Sequence, residues 1–447
     1  MGRIPSLVLG TLLCLGVSQS SALATSDRVS VQDEIANLRS TNAGTRHRAA
    51  KRLGKAGRVE AIPALNEAVR DPEVKIRRTI VDSLRVFESV DAIDGLVIAA
   101  ADEDKKVRRS ATMGLGEVYL GYDRLKLGSS PFDWLVGIEN PRATVSPLTV
   151  VDPRVVQSLE GRLVDEEKEI RRLAAFALGS LRAPSVPALN HALSDPVGDV
   201  RLEAVDALGL VGGPEAGEAL RGALTDGSKN VRSHAVDALG EMRYVEAASG
   251  LVALYDEHLN KDLGDRALRA LARMGAPEAR GVFYYQMTSS SKDRRRWAVE
   301  GIGRLGDEGL RSALIKDFLR EPSPDVQLAY CFALTRLGQH EFVDRIALSL
   351  AVSDLKRQAR EYAIELGSPL LGELVAYLND PVPEVRREMT DVLVQIGDAN
   401  AIPYIEPLLS DANPEVADHA NRAVSRLQAS SRSADTMAVP NPEGPRP

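Results

Sequence analysis

Cysteine is nearly absent from this 447-residue sequence, which contains only Cys14 and Cys331. If an N-terminal segment that includes Cys14 is removed, a single thiol remains, and an intrachain disulfide is excluded. Cys331 lies in the apolar stretch Ala-Tyr-Cys-Phe-Ala-Leu, which indicates a buried packing residue rather than a nucleophile. The fold must therefore depend on its hydrophobic core, which is feasible at this chain length.

Long hydrophobic segments are missing too, because the apolar run at residues 7–17 is too short to cross a bilayer as a helix. This run follows Arg3 and precedes Ala22-Leu-Ala24, as in a secretory signal peptide with an A-x-A cleavage site. We expect cleavage near Ala24 and export of a soluble protein to the periplasm or the extracellular space. Cys14 follows a poor match to a lipoprotein cleavage box, so no lipid anchor is expected. An uncleaved N-terminal anchor is the alternative.

An excess of positive charge is also lacking. The sequence has 56 basic and 63 acidic residues, and its formal net charge is −7. Nucleic acid as the main ligand would demand a broad basic surface, so this charge balance predicts no nucleic-acid partner.

No catalytic constellation is evident in the sequence. The six histidines are scattered singly, without a pair at metal-ligand spacing. No nucleophile, phosphate-binding or dinucleotide-binding motif stands in a strand–turn–helix context. We therefore predict no catalytic residue, no metal site and no cofactor.

The sequence does contain a repeated helical unit, which is clearest at residues 193–209. Asp195 and Pro196 are typical of a helix start, because Asp accepts hydrogen bonds from free N–H groups and proline suits the first turn. Apolar residues then follow at helical spacing, at Val200, Ala204, Leu208 and Val211. A shorter helix with its own apolar stripe precedes Asp195. Such a pair leaves apolar surface uncovered, so it must stack on copies of itself.

Copies of this unit recur every 30 or 31 residues along the regular parts of the chain. An aspartate followed six residues later by an arginine appears as Asp71/Arg77, Asp102/Arg108, Asp165/Arg171, Asp195/Arg201, Asp226/Arg232 and Asp380/Arg386. Alanine and glycine recur at fixed positions after the arginine, which allows close approach of neighbouring helices. We count twelve helix pairs, and this predicts an all-α fold in one continuous body.

The Asp/Arg pairs, with proline eight residues before the aspartate in Pro63/Asp71, Pro187/Asp195 and Pro403/Asp411, resemble HEAT repeats. The short period is similar to the HEAT-like repeats of phycobilin lyases, and the resemblance covers roughly residues 30–428. It implies an α-solenoid, a superhelical array of antiparallel helix pairs. It also implies that the Asp and Arg side chains form a structural hydrogen-bonded ladder along the turns; a functional charge array is the alternative.

The repeats divide the sequence into segments. We expect a signal peptide at 1–24, N-terminal repeats at 25–120, an inserted loop at 121–152, further repeats at 153–428 that are degenerate at 245–367, and a disordered tail at 429–447.

The inserted loop lacks helical periodicity and offers three aromatic anchors, Tyr122, Phe132 and Trp134. Long loops without their own secondary structure are often functional, and these residue types are favoured at the centres of interfaces. We predict that the three rings either contact a partner or fold back as a structural plug over the stack.

A second candidate binding surface combines arginines with an aromatic residue: Arg294, Arg295, Arg296 and Trp297. Such a cluster suits an acidic peptide, a glycan or a phosphate group. The alternative is structural, with Trp297 and Phe283 filling the core and the arginines forming a solvated helix start.

Together these features predict an exported, non-enzymatic scaffold that binds a protein or peptide partner along its groove. The alternative function is that of a lyase-like assembly factor acting on a client protein. The HEAT-repeat di-iron hydroxylases need several His-Glu pairs, whereas this chain has one, His340-Glu341.

Overall fold

In the computed structural model, residues 31–121, 144–146 and 149–437 are described. These residues form twelve helix pairs and contain no β-strand. The prediction of an all-α stack of about twelve helix pairs is therefore confirmed. Contacts divide the chain into two compact units, Met1–Met242 and Arg243–Pro447.

The first unit contains six helix pairs. Its helices are α1 (31–37), α2 (Ala43–Ala56), α3 (Ile62–Ala68), α4 (Val74–Val86), α5 (Ile93–Ala99), α6 (Lys105–Leu120), α7 (Pro153–Arg162), α8 (Lys168–Ser180), α9 (Val186–Ala192), α10 (Gly198–Val211), α11 (Pro214–Ala223) and α12 (Lys229–Met242). The even-numbered helices are the longer partners, and successive even-numbered helices pack against one another.

The second unit also contains six pairs. Its helices are α13 (Ala248–Glu257), α14 (Asp262–Met274), α15 (Arg280–Gln286), α16 (Lys292–Leu305), α17 (Arg311–Phe318), α18 (Pro324–Arg336), α19 (Val343–Leu348), α20 (Lys356–Leu366), α21 (Leu371–Leu374), α22 (Pro383–Ile396), α23 (Ile402–Ile405) and α24 (Pro414–Met437). Short 3₁₀ turns precede or continue many of the odd-numbered helices.

The α9–α10 pair shows why the repeated unit folds as it does. Proline at 187 lies in the first turn of α9, where its missing N–H would have no helical partner. The Asp195 carboxylate then accepts a hydrogen bond from the Val197 N–H at 2.8 Å. Helix α10 begins only at Gly198, so Asp195 and Pro196 lie in the turn before the helix and not at the predicted helix start. Leu189, Val200 and Ala204 are fully buried between the helices of this pair and its neighbours.

A ladder of arginine–aspartate pairs links consecutive repeats. Arg171 donates to both carboxylate oxygens of Asp195, at 2.6 and 3.1 Å, and to the backbone carbonyl of Asp165 at 2.8 Å. Arg171 therefore joins the carbonyl of its own repeat's aspartate to the carboxylate of the next repeat. Both side chains of the Arg171–Asp195 pair are largely buried. The same carboxylate bonds join Arg46 to Asp71, Arg77 to Asp102, Arg108 to Asp165, Arg201 to Asp226, and Arg386 to Asp411.

The predicted pairs Asp226/Arg232 and Asp380/Arg386 also form the bond within the repeat. Arg232 donates to the carbonyl oxygen of Asp226, and Arg386 donates to the carbonyl oxygen of Asp380 at 2.8 Å. Arg386 thus binds the carbonyl of Asp380 in its own repeat and the carboxylate of Asp411 in the next repeat.

The ladder bypasses the inserted segment. Helix α6 ends at Leu120 and α7 begins at Pro153, yet Arg108 of α6 donates to Asp165 at 2.8 Å, as between adjacent repeats. At the end of the insertion, the Asp152 N–H donates to the Tyr119 hydroxyl at 2.8 Å. The repeats on either side of the insertion therefore pack against each other as consecutive members of the stack.

Glycines allow the long helices to pack closely. A Cβ atom at Gly179 of α8 would lie 2.6 Å from the Cα of Ala207 in α10. A Cβ atom at Gly303 of α16 would meet the Cα of Ala333 in α18 at the same distance. These backbone contacts explain why glycine occupies helical positions at which it otherwise weakens a helix.

The C-terminal helix is longer than the sequence analysis predicted. The disordered tail was expected from residue 429, but α24 continues to Met437. Residues 429–437 contain alanine and arginine and no proline or glycine, so nothing in their sequence breaks the helix before Pro440. Among the described residues, no helix combines the length and the apolar character needed to cross a membrane.

Candidate partner-binding surface

The three aromatic anchors predicted in the insertion, Tyr122, Phe132 and Trp134, lie outside the described residues. The structure describes only the ends of that segment. Near its C-terminal end, the Val145 N–H donates to the carbonyl of Ser180, at the last turn of α8, at 2.9 Å. Val145 itself is buried there.

The arginines at the start of α16 point to three different places, because consecutive residues on a helix are about 100° apart. Arg294 reaches back to α14, where it donates to the Asp265 carboxylate at 2.7 and 3.2 Å. It also donates to the Asn260 side chain. Arg294 is thus held within the stack.

Arg295 occupies a ladder position. Its guanidinium donates to both carboxylate oxygens of Glu321, at 2.9 and 2.8 Å, and to the Ser289 carbonyl at 2.9 Å. In the next repeat Gln327 replaces the arginine and donates to the Glu321 carbonyl at 2.6 Å. The degenerate region therefore keeps part of the ladder geometry with different residue types.

Arg296 faces a cavity and not the ladder. It lies 3.4 Å from the Asp293 carboxylate, and its guanidinium carbon is 5.9 Å from the centre of the Trp297 ring. The Trp297 side chain is half-buried, whereas Phe283 is fully buried in the core. Of the four residues predicted at this site, Arg296 is the one that the structure places on the cavity wall.

The cavity has a volume of about 460 Å³ and opens between the first turns of α16, α18 and α20. Its lining combines charged residues of both signs with a few apolar residues. The lining residues are Lys292, Asp293, Arg296, Ser323, Pro324, Asp325, Val352, Asp354, Leu355, Arg357 and Gln358.

A row of polar side chains leads from this cavity along the same three helices. Gln358, at the cavity edge, donates to the Tyr362 hydroxyl at 2.7 Å. Tyr362 donates in turn to Glu300 of α16 at 2.5 Å. Tyr362 is almost completely buried, and burial beside Glu300 raises the pKa of its hydroxyl well above the ordinary value.

The row ends in a buried ion pair that crosses over α18. Arg304 of α16 donates to both carboxylate oxygens of Glu365 in α20, in each case at 2.9 Å. Its guanidinium carbon lies 5.0 Å from the centre of the Phe332 ring of α18. Phe332 stacks on Tyr362 with ring centres 4.4 Å apart.

The charges in this row stabilise one another. Burial opposes the charged form of Arg304, but Glu300 and Glu365 hold the pKa of its guanidinium above the ordinary value. Burial likewise opposes ionisation of Glu365, and the hydrogen bond from Arg304 nevertheless lowers the pKa of that carboxyl. Both groups are therefore charged at neutral pH.

Sequence reasoning missed this row. Its members on α16 recur at helical spacing, as Arg296, Glu300 and Arg304, and this is the only signal that they carry in the sequence. Their partners lie 61 or 62 residues further along the chain, which is two repeats away. No cluster of three or more His, Cys, Asp or Glu side chains suited to a metal ion is found in the part of the chain that the structure describes.

The family profile for HEAT repeats matches residues 33–116, 153–239 and 371–438, which together make up more than half of the chain. The chain belongs to the HEAT-repeat family. The resemblance noted in the sequence is thereby confirmed. A search of curated proteins finds no match.

Several solved structures share the HEAT-type stack. Importin beta is 15% identical, with 95% of this chain and 67% of that chain covered and a TM-score of 0.45. An engineered protein is 19% identical over 89% of this chain and 98% of its own, with a TM-score of 0.38. The CpcE–CpcF complex of phycocyanin lyase from Nostoc sp. is 20% identical over 66% and 98%, with a TM-score of 0.29. These likenesses concern the fold alone.

Both candidate surfaces lie in gaps of the HEAT-repeat match. The insertion falls between the first and second matched stretches, and the cavity and the polar row fall between residues 239 and 371. Within that second gap the ladder is partly replaced, by Glu321 and Gln327. The contacts of Arg304 with Glu365 and of Tyr362 with Glu300 there span two repeats.

Proposed function

We propose that this chain is an exported, non-enzymatic HEAT-repeat scaffold that binds a protein or peptide partner. The HEAT-repeat stack supports the scaffold part of this proposal, since each repeat adds a similar surface patch to its neighbour's. Export is supported by Arg3, the apolar run at residues 7–17 and the Ala22-Leu-Ala24 site.

The main support for the binding role is the position of the cavity between α16, α18 and α20. The cavity and the polar row beside it lie between residues 239 and 371, where the HEAT-repeat profile does not match. A stack of helix pairs needs apolar contacts and a ladder, and the second unit has both. The added polar side chains give that face hydrogen-bond donors and charges of defined position, which a partner can use for orientation and specificity.

The cavity suits side chains of a peptide or of a protein loop. Its lining includes the apolar Val352 and Leu355 together with the charged Arg296, Arg357 and Asp354. A partner side chain that enters can contact the apolar residues while its polar groups pair with the charged ones. Affinity would then come from a few such anchors and from many weaker contacts along neighbouring repeats.

The binding role is tested by photo-crosslinking in the native compartment. A benzophenone amino acid at Val352, which lines the cavity and is 46% exposed, should capture a discrete partner. The matched control is Tyr404, which is 54% exposed in the same unit and does not line the cavity. Equal capture at both positions, or at neither, contradicts the proposal.

The same experiment separates the scaffold from the lyase-like assembly factor. A scaffold leaves the mass of its captured partner unchanged. A covalent change in the partner that depends on this chain would favour the assembly factor. Export is tested by fractionation and by the N-terminal sequence of the mature protein, which should begin at Thr25.

A further inference from the structure

Three guanidinium groups converge on one carboxylate in the second unit. Glu365 accepts two hydrogen bonds from Arg304, and the Arg243 Nη2 lies 3.0 Å from its Oε2 atom. Arg336 is the third, with its Nη1 3.7 Å from the Oε1 atom, which is longer than a hydrogen bond. Arg336 is therefore near Glu365 without being fully paired to it.

The local charge balance is positive. The next carboxylate, Glu300, lies 3.3 Å from Arg304. Glu361, one turn before Glu365 on α20, interacts electrostatically with Arg273, Arg357 and Arg296 on the cavity side. Three arginines, Arg243, Arg304 and Arg336, thus lie beside only two carboxylates. These carboxylates are Glu300 and Glu365.

The three arginines differ in accessibility. Arg304 is only 9% exposed and is fixed by a further bond to the Ala272 carbonyl. Arg336 is 33% exposed, and its Nε donates to the Gly303 carbonyl at 3.2 Å, which sets the direction of its guanidinium. Arg243 is 52% exposed. Two more exposed guanidinium groups therefore lie beside the buried Arg304–Glu365 pair.

An aromatic ring supports this arrangement. Phe332 is fully buried, with Arg304 at 5.0 Å and Arg336 at 5.9 Å from its ring centre. Burial lowers the pKa of Arg336, and the neighbouring charges of Arg304 and Arg243 lower it further against the attraction of Glu365. An added anion would relieve this repulsion between like charges.

We propose that Arg243 and Arg336 form a subsite that binds a carboxylate of an acidic segment in the partner; this inference rests on the binding role proposed above. Arginine pairs carboxylates through two parallel hydrogen bonds, and its planar donors match that geometry. The buried Arg304–Glu365 pair holds the two outer arginines in place and supplies the fixed wall of the subsite.

An acidic peptide fits the surroundings better than a larger polyanion does. The whole chain carries a net charge of −7, and the subsite is one small positive region. Nucleic acid and anionic membranes are held by broad basic surfaces, whereas one or two carboxylates need only a local pair of arginines.

The test uses the full-length protein and a fluorescent peptide that carries two Glu-Glu pairs separated by glycine. Fluorescence anisotropy at low salt should show binding of this peptide, weaker binding as salt increases, and no binding of the matched Gln peptide. The double variant R243Q/R336Q should bind the Glu peptide about tenfold more weakly, because two ion pairs are lost. Equal binding of the Glu and Gln peptides overturns the proposal, as does unchanged binding by the double variant.

Two controls complete the design. R39Q removes an arginine that is 75% exposed in the first unit and should leave binding unchanged. R243K/R336K keeps both charges without the paired donors and should give intermediate affinity, which also tests the subsite if the Gln variant fails to fold. Partner crosslinking from Val352 that persists in R243Q/R336Q would refute the subsite alone. If the protein with native Arg243 and Arg336 gives no crosslink from Val352, the proposed function itself is refuted.

Discussion

At the residue scale, the ladder pairs combine two roles that sequence alone suggested only in outline. Six of the aspartates, such as Asp195, accept a backbone N–H just before a long helix and also bind the arginine of the preceding repeat, whereas Asp380 makes only the backbone bond among the described residues. Charge-assisted, two-pronged hydrogen bonds of this kind are the strong ones in proteins.

The first prediction compares a ladder pair with an exposed pair. Asp195→Ala should lower the free energy of unfolding by about 3 kcal/mol, because it leaves the largely buried Arg171 without its carboxylate. Glu67→Ala, which breaks the Arg39–Glu67 pair with 75% and 69% exposed side chains, should cost less than about 1 kcal/mol. Urea unfolding followed by circular dichroism measures both. Equal losses would show that the ladder is no more than a surface ion pair.

The second prediction concerns pH. The hydrogen bond from Arg201 lowers the pKa of Asp226, and the bond from Arg386 lowers the pKa of Asp411. A carboxyl with a lowered pKa in the folded state contributes stability that is complete above its unfolded pKa of about 3.9 and is lost as pH falls through the folded value. Stability should therefore fall below about pH 4. Asp226→Asn should lower stability at neutral pH and weaken this acid dependence; an unchanged pH profile would contradict the assignment.

Some side-chain contacts could be predicted from the sequence and others could not. The ladder partners could be predicted from the sequence because Asp and Arg recur with the period of the repeat. The Arg304–Glu365 and Tyr362–Glu300 contacts pass over α18 and occur once, so no periodic signal marks them. The sequence predicts one cluster at Arg294–Arg296, but helical geometry separates the three side chains. Arg294 contacts α14, Arg295 forms a ladder bond and Arg296 lines the cavity.

At the element scale, close packing of the long helices depends on small residues at fixed positions. The third prediction is that Gly179→Ala destabilises the protein by about 1–3 kcal/mol, because its Cβ would overlap the backbone of Ala207 in α10. Gly222 in α11 is the matched control, since no atom lies within 4 Å of an added Cβ there. Gly222→Ala should be neutral or stabilising by up to about 1 kcal/mol. Urea midpoints of the two variants decide the comparison, and a destabilised G222A would refute the packing argument.

The fourth prediction addresses the insertion. Replacing residues 122–143 by a Gly-Ser linker of about eight residues should leave helicity and cooperative melting intact, because Arg108 and Asp165 already join the flanking repeats. The same deletion should abolish partner capture if the insertion is a binding loop. Circular dichroism and the Val352 crosslink report the two effects separately. Loss of folding would instead favour a structural plug.

At the scale of the whole molecule, repetition made the fold predictable. Twelve helix pairs and the all-α class follow from a pattern that recurs many times, so the degenerate repeats do not hide it. The division into two units at Met242 was not predicted, since the repeats were expected to form one body. It falls where the Asp/Arg pattern lapses in sequence, between Asp226/Arg232 and Asp380/Arg386.

The central claim is that each helix pair is stabilised by its neighbours in the stack, and hydrogen exchange followed by mass spectrometry tests this most directly. In Asp195→Ala, protection of backbone amides should fall in α8 to α10, which share the lost bond, and should remain unchanged in α22 and α24. An equal loss of protection in all helices would contradict this claim, because it would indicate a single cooperative core instead of stabilisation by neighbouring repeats.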